Sequence, residues 1–122
     1  MSNFDKLVDQ WIDILGLNDW TIAVKDDCKA CEMELEDSAG DCEHNVVGKW
    51  AFIQIISNEE YGERIIPYDK EQILVHELLH CKFGILEHSG NEIVDILLHQ
   101  LVEDMAKSLV KAKRLKESEN EN

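Results

Sequence analysis

The chain has 122 residues, which suits one domain with a single hydrophobic core. Hydrophobic residues make up 44% and charged residues 31% of it, a composition typical of a globular rather than a disordered protein. Its net charge of −14 argues against nucleic-acid binding, because contact with phosphates needs lysine and arginine. The sequence has neither an apolar run long enough for a membrane span nor a signal-peptide pattern, so we expect a cytoplasmic protein without a membrane partner.

The first half of the chain predicts one helix followed by strands. Apolar residues spaced by three and four over residues 4–15 are typical of an amphipathic helix. Residues 20–25 alternate as a strand does, residues 32–36 indicate a second strand, and residues 37–41 indicate a turn. Residues 49–56 are apolar on both faces, which predicts a strand covered on both sides.

The second half predicts two long helices. After a loop over residues 57–67, Asp69 can cap a helix, with Gln72 as the other half of a capping box. A further helix starts near Asn91 and continues beyond Leu109.

The order of these elements predicts an α+β fold. An N-terminal helix and a short β-sheet precede the helix in the middle of the chain and the C-terminal helix, and no internal repeat is visible. We expect a single domain over residues 1–116. The polar residues 117–122 are expected to form a disordered tail.

The middle helix carries the pattern His76-Glu77-Leu78-Leu79-His80. Histidines four residues apart lie on one face of a helix, so both imidazoles can reach one metal ion. Neutral imidazole is a good ligand of Zn²⁺, and a bound zinc lowers the pKa of water to about 7. Glu77 stands beside the first histidine, where it can act as the general base. The pattern predicts hydrolysis of a protein or peptide substrate; the alternative is a helix whose histidines are ordinary buried side chains.

Two histidines leave the shell of a zinc ion incomplete, and the C-terminal helix is the best source of a third ligand. On its helical wheel, His99 lies at the boundary of the apolar side. Glu103 follows one turn later, and Asp95 precedes His99 by one turn on the same flank. His88, before the helix, is a further candidate. From the residues alone, all four alternatives stay open.

The segment His76-Glu-Leu-Leu-His80, followed by His99-Gln-Leu-Val-Glu103, resembles the small zinc metallopeptidases encoded by phages and prophages. These belong with the minimal gluzincin-like and SprT-like peptidases. The resemblance covers roughly residues 45–110. It implies a zincin-like fold, a bound zinc ion and cleavage of peptide bonds.

The resemblance also implies roles on the C-terminal helix. Carried over by spacing, it places His99 at the third ligand position and Glu103 at the position of an acid that orients a ligand histidine. The family has a glutamate where this chain has His99. Glu103 is therefore the alternative third ligand.

The four cysteines suggest a second metal site. Without a secretion signal they are expected to be reduced thiols or metal ligands. Cys28 and Cys31, together with Cys42 and His44, could hold a structural zinc ion. The alternative is that they are ordinary residues of an acidic hairpin. Cys81 is expected to be a small buried side chain.

Residues 26–43 are rich in acidic side chains. Such a run is usually a solvated surface, and the functional alternative is recognition of a basic partner or substrate. In related peptidases an edge strand beside the metal-binding helix holds an extended substrate, and residues 49–56 are the candidate for that strand.

A function of another class also fits the charge. A net charge of −14 on a short chain suits a non-enzymatic acidic binding protein, such as a phage-type inhibitor or a DNA mimic. In such a protein any zinc would be structural at most. Replacing Glu77 with Gln distinguishes the two classes, because only the enzyme needs that carboxylate.

Overall fold

The computed structural model describes residues 2–34, 38–87 and 89–120, which form an α+β fold. The described helices and strands, in chain order, are α1 (Asn3–Ile14), β1 (Thr21–Cys28), β2 (Gly40–Asn45), β3 (Trp50–Ile56), α2 (Asn58–Tyr61), α3 (Lys70–Phe83) and α4 (Glu92–Asn120). Two short 3₁₀ turns span Ala30–Glu32 and Gly84–Leu86. In these ranges, none of the helices has the length and apolar character needed to cross a membrane.

Helix α1 confirms the predicted amphipathic helix. The Ser2 hydroxyl accepts a hydrogen bond from the Asp5 N–H, and the Asp5 carboxylate accepts one from the Ser2 N–H. Val8 and Trp11 are its buried residues. Gly16 follows with a φ of +69°, a conformation that glycine adopts without strain.

Strand β3 is the centre of the sheet. It pairs in parallel with β1 and antiparallel with β2, which gives the order β1-β3-β2. Ala51, Ile53 and Ile55 of β3 are buried, whereas Trp50 and Phe52 on the opposite face are 40% and 37% exposed. The prediction of a strand covered on both sides is therefore wrong, because its aromatic residues face solvent. Its central position also excludes β3 as the edge strand.

Three other local predictions differ from the structure. Glu32 lies in a 3₁₀ turn rather than a strand, and residues 35–37 of the predicted strand and turn lie outside the described residues. Strand β2 begins at Gly40, inside the predicted turn, because the chain there already pairs with β3. Residues 58–61 form helix α2 instead of a loop, with Ser57 as the cap.

Helix α3 packs against α1, α4 and the inner face of the sheet. The Asp69 side chain accepts a hydrogen bond from the Gln72 N–H at 3.1 Å, which confirms the predicted N-cap. Gly84 ends the helix and begins a 3₁₀ turn. The buried apolar side chains of α3 are Leu74, Val75, Leu78, Leu79 and Cys81.

Helix α4 is longer than predicted. It continues to Asn120, so residues 117–120 are helical where a disordered tail was expected. An ion pair of 3.1 Å between Lys113 and Glu117, one turn apart, supports this end of the helix. The buried residues of α4 are Leu98, Val102, Ala106 and Val110.

A polar network joins α1, α3 and α4. The Trp11 indole N–H donates to Glu71 at 2.7 Å, and Lys113 Nζ lies 3.0 Å from the same carboxylate. Arg114 donates to both oxygens of Asp69, at 2.8 and 2.9 Å. Because Asp69 caps α3, the network holds the start of that helix against its two neighbours.

Candidate functional site

Helix α3 places two histidines on one face and a glutamate between them. The ring centroids of His76 and His80 are 5.0 Å apart, as the spacing of one turn predicts. Their side chains are 25% and 13% exposed. Glu77 points toward the interior and is 6% exposed. The two histidines are therefore partly exposed, and Glu77 lies deeper in the protein than either of them.

Helix α4 brings His99 and Glu103 to the same place. The ring of His99 is exposed, and its centroid lies 5.4 Å from that of His80. Glu103 Oε2 lies 2.7 Å from His76 Nδ1. This contact is the one that a carboxylate makes when it orients a ligand histidine. Of the two residues proposed on α4, Glu103 contacts His76, whereas His99 lines the larger cleft.

Asp95 makes its described contact away from the two α3 histidines. Asp95 Oδ1 accepts a hydrogen bond from the Ser89 hydroxyl at 3.1 Å. His88 lies outside the described residues.

Glu87 belongs to the site, and the sequence analysis missed it. Its Oε1 contacts His80 Nδ1, and its Oε2 lies 3.6 Å from His44 Nε2. The 3₁₀ turn Gly84–Leu86 brings Glu87 back over the end of α3. A spacing of seven residues between a histidine and a glutamate belongs to no known metal-site motif, so no signal in the sequence identifies Glu87.

Both α3 histidines therefore direct Nδ1 at a carboxylate. When Nδ1–H donates to that carboxylate, the neutral ring keeps its lone pair on Nε2, where a metal ion can bind. Burial lowers the pKa of His76, and the neighbouring His80 lowers it further. His76 is thus neutral near pH 7, which is the form that binds metal.

The three histidines are side chains of a type that binds zinc, but they do not lie close enough together to share one ion. Within the described ranges, no group of three or more His, Cys, Asp or Glu side chains is set closely enough to hold a metal ion. His76, His80 and His99 form a row of three imidazoles, a donor set typical of zinc sites. Their side chains would have to draw together to share one ion.

The carboxylate of Glu77 is isolated beside the first residue of β2. It has no hydrogen-bond or ion-pair partner among the described residues. Burial, together with the nearby Asp41 carboxylate, raises the pKa of Glu77 to about 8. A Cβ on Gly40 would lie 3.1 Å from Glu77 Oε2 and 2.8 Å from Ile73 Cγ2. Strand β2 therefore approaches Glu77 this closely because residue 40 is glycine.

Glu77 lies between two clefts. The smaller cleft has a volume of about 240 Å³ and is lined on one side by His76 and Glu103. The larger cleft, of about 940 Å³, is lined by His80 and His99 and extends around β2. A long ligand could occupy both clefts and pass over Glu77.

The structure does not bring the cysteines of the predicted second zinc site together. Cys28 pairs with Ile56 on one side of β3, and Cys42 pairs with Ile53 on the other. Two strands separated by a third are about 10 Å apart. Zinc–sulfur bonds are about 2.3 Å long, so Cys28 and Cys42 are too far apart to share an ion.

Cys42 faces helix α3 instead. Its Sγ lies 3.9 Å from that of Cys81 and 3.8 Å from His44 Nδ1. The contact with Cys81, together with burial, raises the pKa of the Cys42 thiol. Cys81 is 3% exposed, which confirms the expected buried side chain, and Cys31 is exposed.

No family model, no curated protein and no solved structure matches this chain.

Proposed function

We propose that this protein is a zinc-dependent peptidase with a zincin-like fold, similar to the small metallopeptidases encoded by phages. One observation carries the proposal. The Nδ1 atoms of His76 and His80 each face a carboxylate, while Glu77 lies buried between these histidines without a partner. A largely buried carboxylate that lines a cleft without a partner in the protein is typical of catalytic sites.

His76, His80 and His99 would hold the zinc ion. Glu103 and Glu87 orient the two α3 imidazoles through Nδ1. When bound, zinc supplies a Lewis acid that makes water nucleophilic near neutral pH.

Glu77 is the general base. Its carboxylate accepts a proton from the attacking water and delivers it to the leaving amine. Burial raises its pKa above that of an exposed glutamate, which makes the carboxylate a stronger base. Glu77 lines both clefts, so groups that enter them can reach its carboxylate.

Strand β2 offers the binding surface for a peptide. Among the described strands it pairs only with β3, so no described strand covers its other edge. An extended polypeptide can add to such an edge by backbone hydrogen bonds. Gly40, at the start of β2, lies next to Glu77, so a peptide bond held at this edge would pass the general base.

Zinc-loaded protein incubated with a denatured protein substrate tests the proposal. We expect new N-termini, detected by mass spectrometry, in the presence of the wild-type protein. The Glu77→Gln variant should bind zinc but cleave at least about 100-fold more slowly. Glu59→Gln, at an exposed position on α2, is the matched control and should cleave as the wild type does.

Two results would overturn the proposal. One is that the zinc-loaded wild type produces no new N-termini. The other is that Glu77→Gln cleaves as fast as the wild type. A biological effect that survives Glu77→Gln unchanged would favour the non-enzymatic acidic binding protein.

A further inference from the structure

We infer that the substrate is a basic peptide: the edge of β2 that faces away from β3 binds an extended segment with lysine or arginine at alternate positions. That the bound peptide is then cleaved rests on the proposed function. Binding itself is argued from the charge and geometry of the larger cleft alone.

The larger cleft extends to both faces of the sheet at the β2 edge. On the inner face, toward α3, lie Glu77, His80 and His99. On the outer face lie Asp41 and Glu43, which stand opposite Gln54 and Phe52 of β3. Side chains of a strand alternate between faces, so a peptide paired with β2 would direct every second side chain to the outer face.

Three carboxylates that line the cleft make no ion pair with a described residue. They belong to Glu34, Asp41 and Glu43. The lining of the whole cleft includes five carboxylates besides Glu77, and no lysine or arginine among its described residues. Two of the five have partners: Glu32 pairs with Lys25, and Glu87 contacts His44 and His80. A cationic side chain is the complement of such a surface.

Phe52 adds a second feature that suits lysine and arginine. Its ring is 37% exposed and lies opposite Glu43. The apolar stem of a long cationic side chain can pack on an aromatic face while its charged end reaches a carboxylate. A small or acidic side chain at the same position would gain neither contact.

Glu77 shows that the cleft is built to receive a ligand. It is 6% exposed and has no partner within the described part of the chain, yet it lines this cleft. The acidic outer face and the isolated inner carboxylate meet at the same strand edge. One extended segment can therefore present cations outward and a peptide bond inward.

Fluorescence anisotropy with labelled peptides tests the inference, using the zinc-loaded Glu77→Gln protein at physiological salt so that the peptides stay intact. One peptide alternates lysine with threonine, a second has the same composition with its lysines in one block, and a third has glutamine in place of lysine. We expect the alternating peptide to bind about tenfold more tightly than the block peptide and more tightly still than the glutamine peptide. Equal affinity of the alternating and block peptides would overturn the inference.

A pair of double variants separates the cleft from the overall charge. Glu34→Gln with Glu43→Gln removes two exposed carboxylates of the cleft. Asp9→Asn with Glu59→Gln removes two exposed carboxylates elsewhere and changes the net charge equally. Only the first pair should weaken binding of the alternating peptide, by about tenfold. An equal effect of both pairs would show attraction to net charge alone and would overturn the inference.

The inference and the proposed function fail in different ways. If the alternating peptide binds selectively but the wild type cleaves no peptide, the inference of a surface for basic peptides is confirmed and the proposed peptidase activity is wrong. If the wild type cleaves the glutamine peptide as efficiently as the alternating one, the peptidase stands and the inference is wrong.

Discussion

Glu103 Oε2 lies 2.7 Å from His76 Nδ1, and this contact joins helix α4 to the helix that carries both histidines of the motif. The carboxylate selects the tautomer of His76 that presents Nε2 to the cleft. It also makes the position of one proposed ligand depend on a residue 27 positions later in the chain.

We therefore predict that Glu103→Gln lowers zinc affinity by about 10- to 100-fold, because the amide no longer accepts the Nδ1 proton as strongly. Competition with a chromophoric chelator measures the affinity. Asp104→Asn changes the next residue, which is exposed, and should leave affinity unchanged. If both variants bind zinc as the wild type does, Glu103 does not orient a ligand.

Glu77→Gln should stabilise the metal-free protein. The wild-type carboxylate is 6% exposed and has no partner in the described residues, so an uncharged amide of similar shape removes a desolvation cost. We expect a gain of about 1–3 kcal/mol in the free energy of unfolding at pH 8, measured with urea. A loss of stability would mean that Glu77 supports the fold rather than the chemistry.

Gly40→Ala should push β2 away from α3. Its Cβ would lie 2.8 Å from Ile73 Cγ2, which is closer than such atoms normally approach. We expect a loss of about 1–3 kcal/mol in the free energy of unfolding. Ser38→Ala, on the same segment, is the control. Wild-type stability of Gly40→Ala would contradict the close packing of β2 against Glu77.

The pH dependence of stability should change in Arg114→Ala. The hydrogen bonds from Arg114 hold the pKa of Asp69 below its ordinary value of 3.8. A lowered pKa stabilises the fold above that ordinary value, and this stability is lost as the pH falls through the lowered pKa. We expect Arg114→Ala to be about 1 kcal/mol less stable than the wild type at pH 7.

The difference between Arg114→Ala and the wild type should shrink at pH 3, because below the ordinary pKa of Asp69 the unfolded chains take up a proton that the folded wild type resists. Urea unfolding at the two pH values measures it. Lys111→Ala, at an exposed position on the same helix, should match the wild type at both. A difference that is the same at pH 3 and pH 7 would exclude the Asp69 ion pair as its cause.

The helix that carries His76 and His80 could be predicted because its signals are local. Asp69 caps the helix where the sequence places the cap, and the spacing of four residues alone brings the rings to one face. Glu103 could be named as a candidate from its position on the helix, but its role of orienting a histidine came from the family resemblance, because its contact depends on how α4 packs across α3.

The parts that could not be predicted depend on tertiary packing. Glu87 reaches His80 because a 3₁₀ turn follows Gly84, which no residue pattern encodes. Phe52 is apolar but exposed, so its hydrophobicity indicated burial where the structure has an open face. Cys28 and Cys31 have a metal-binding spacing, yet the strand order puts β3 between Cys28 and Cys42.

The most direct test of the central claim is the zinc content of protein purified without exposure to chelators. Elemental analysis should find one zinc ion per chain in the wild type and almost none in a His76→Ala, His80→Ala double variant that stays folded. Zinc-free wild-type protein from metal-replete cells, or full zinc content in the double variant, would contradict a metal centre on helix α3.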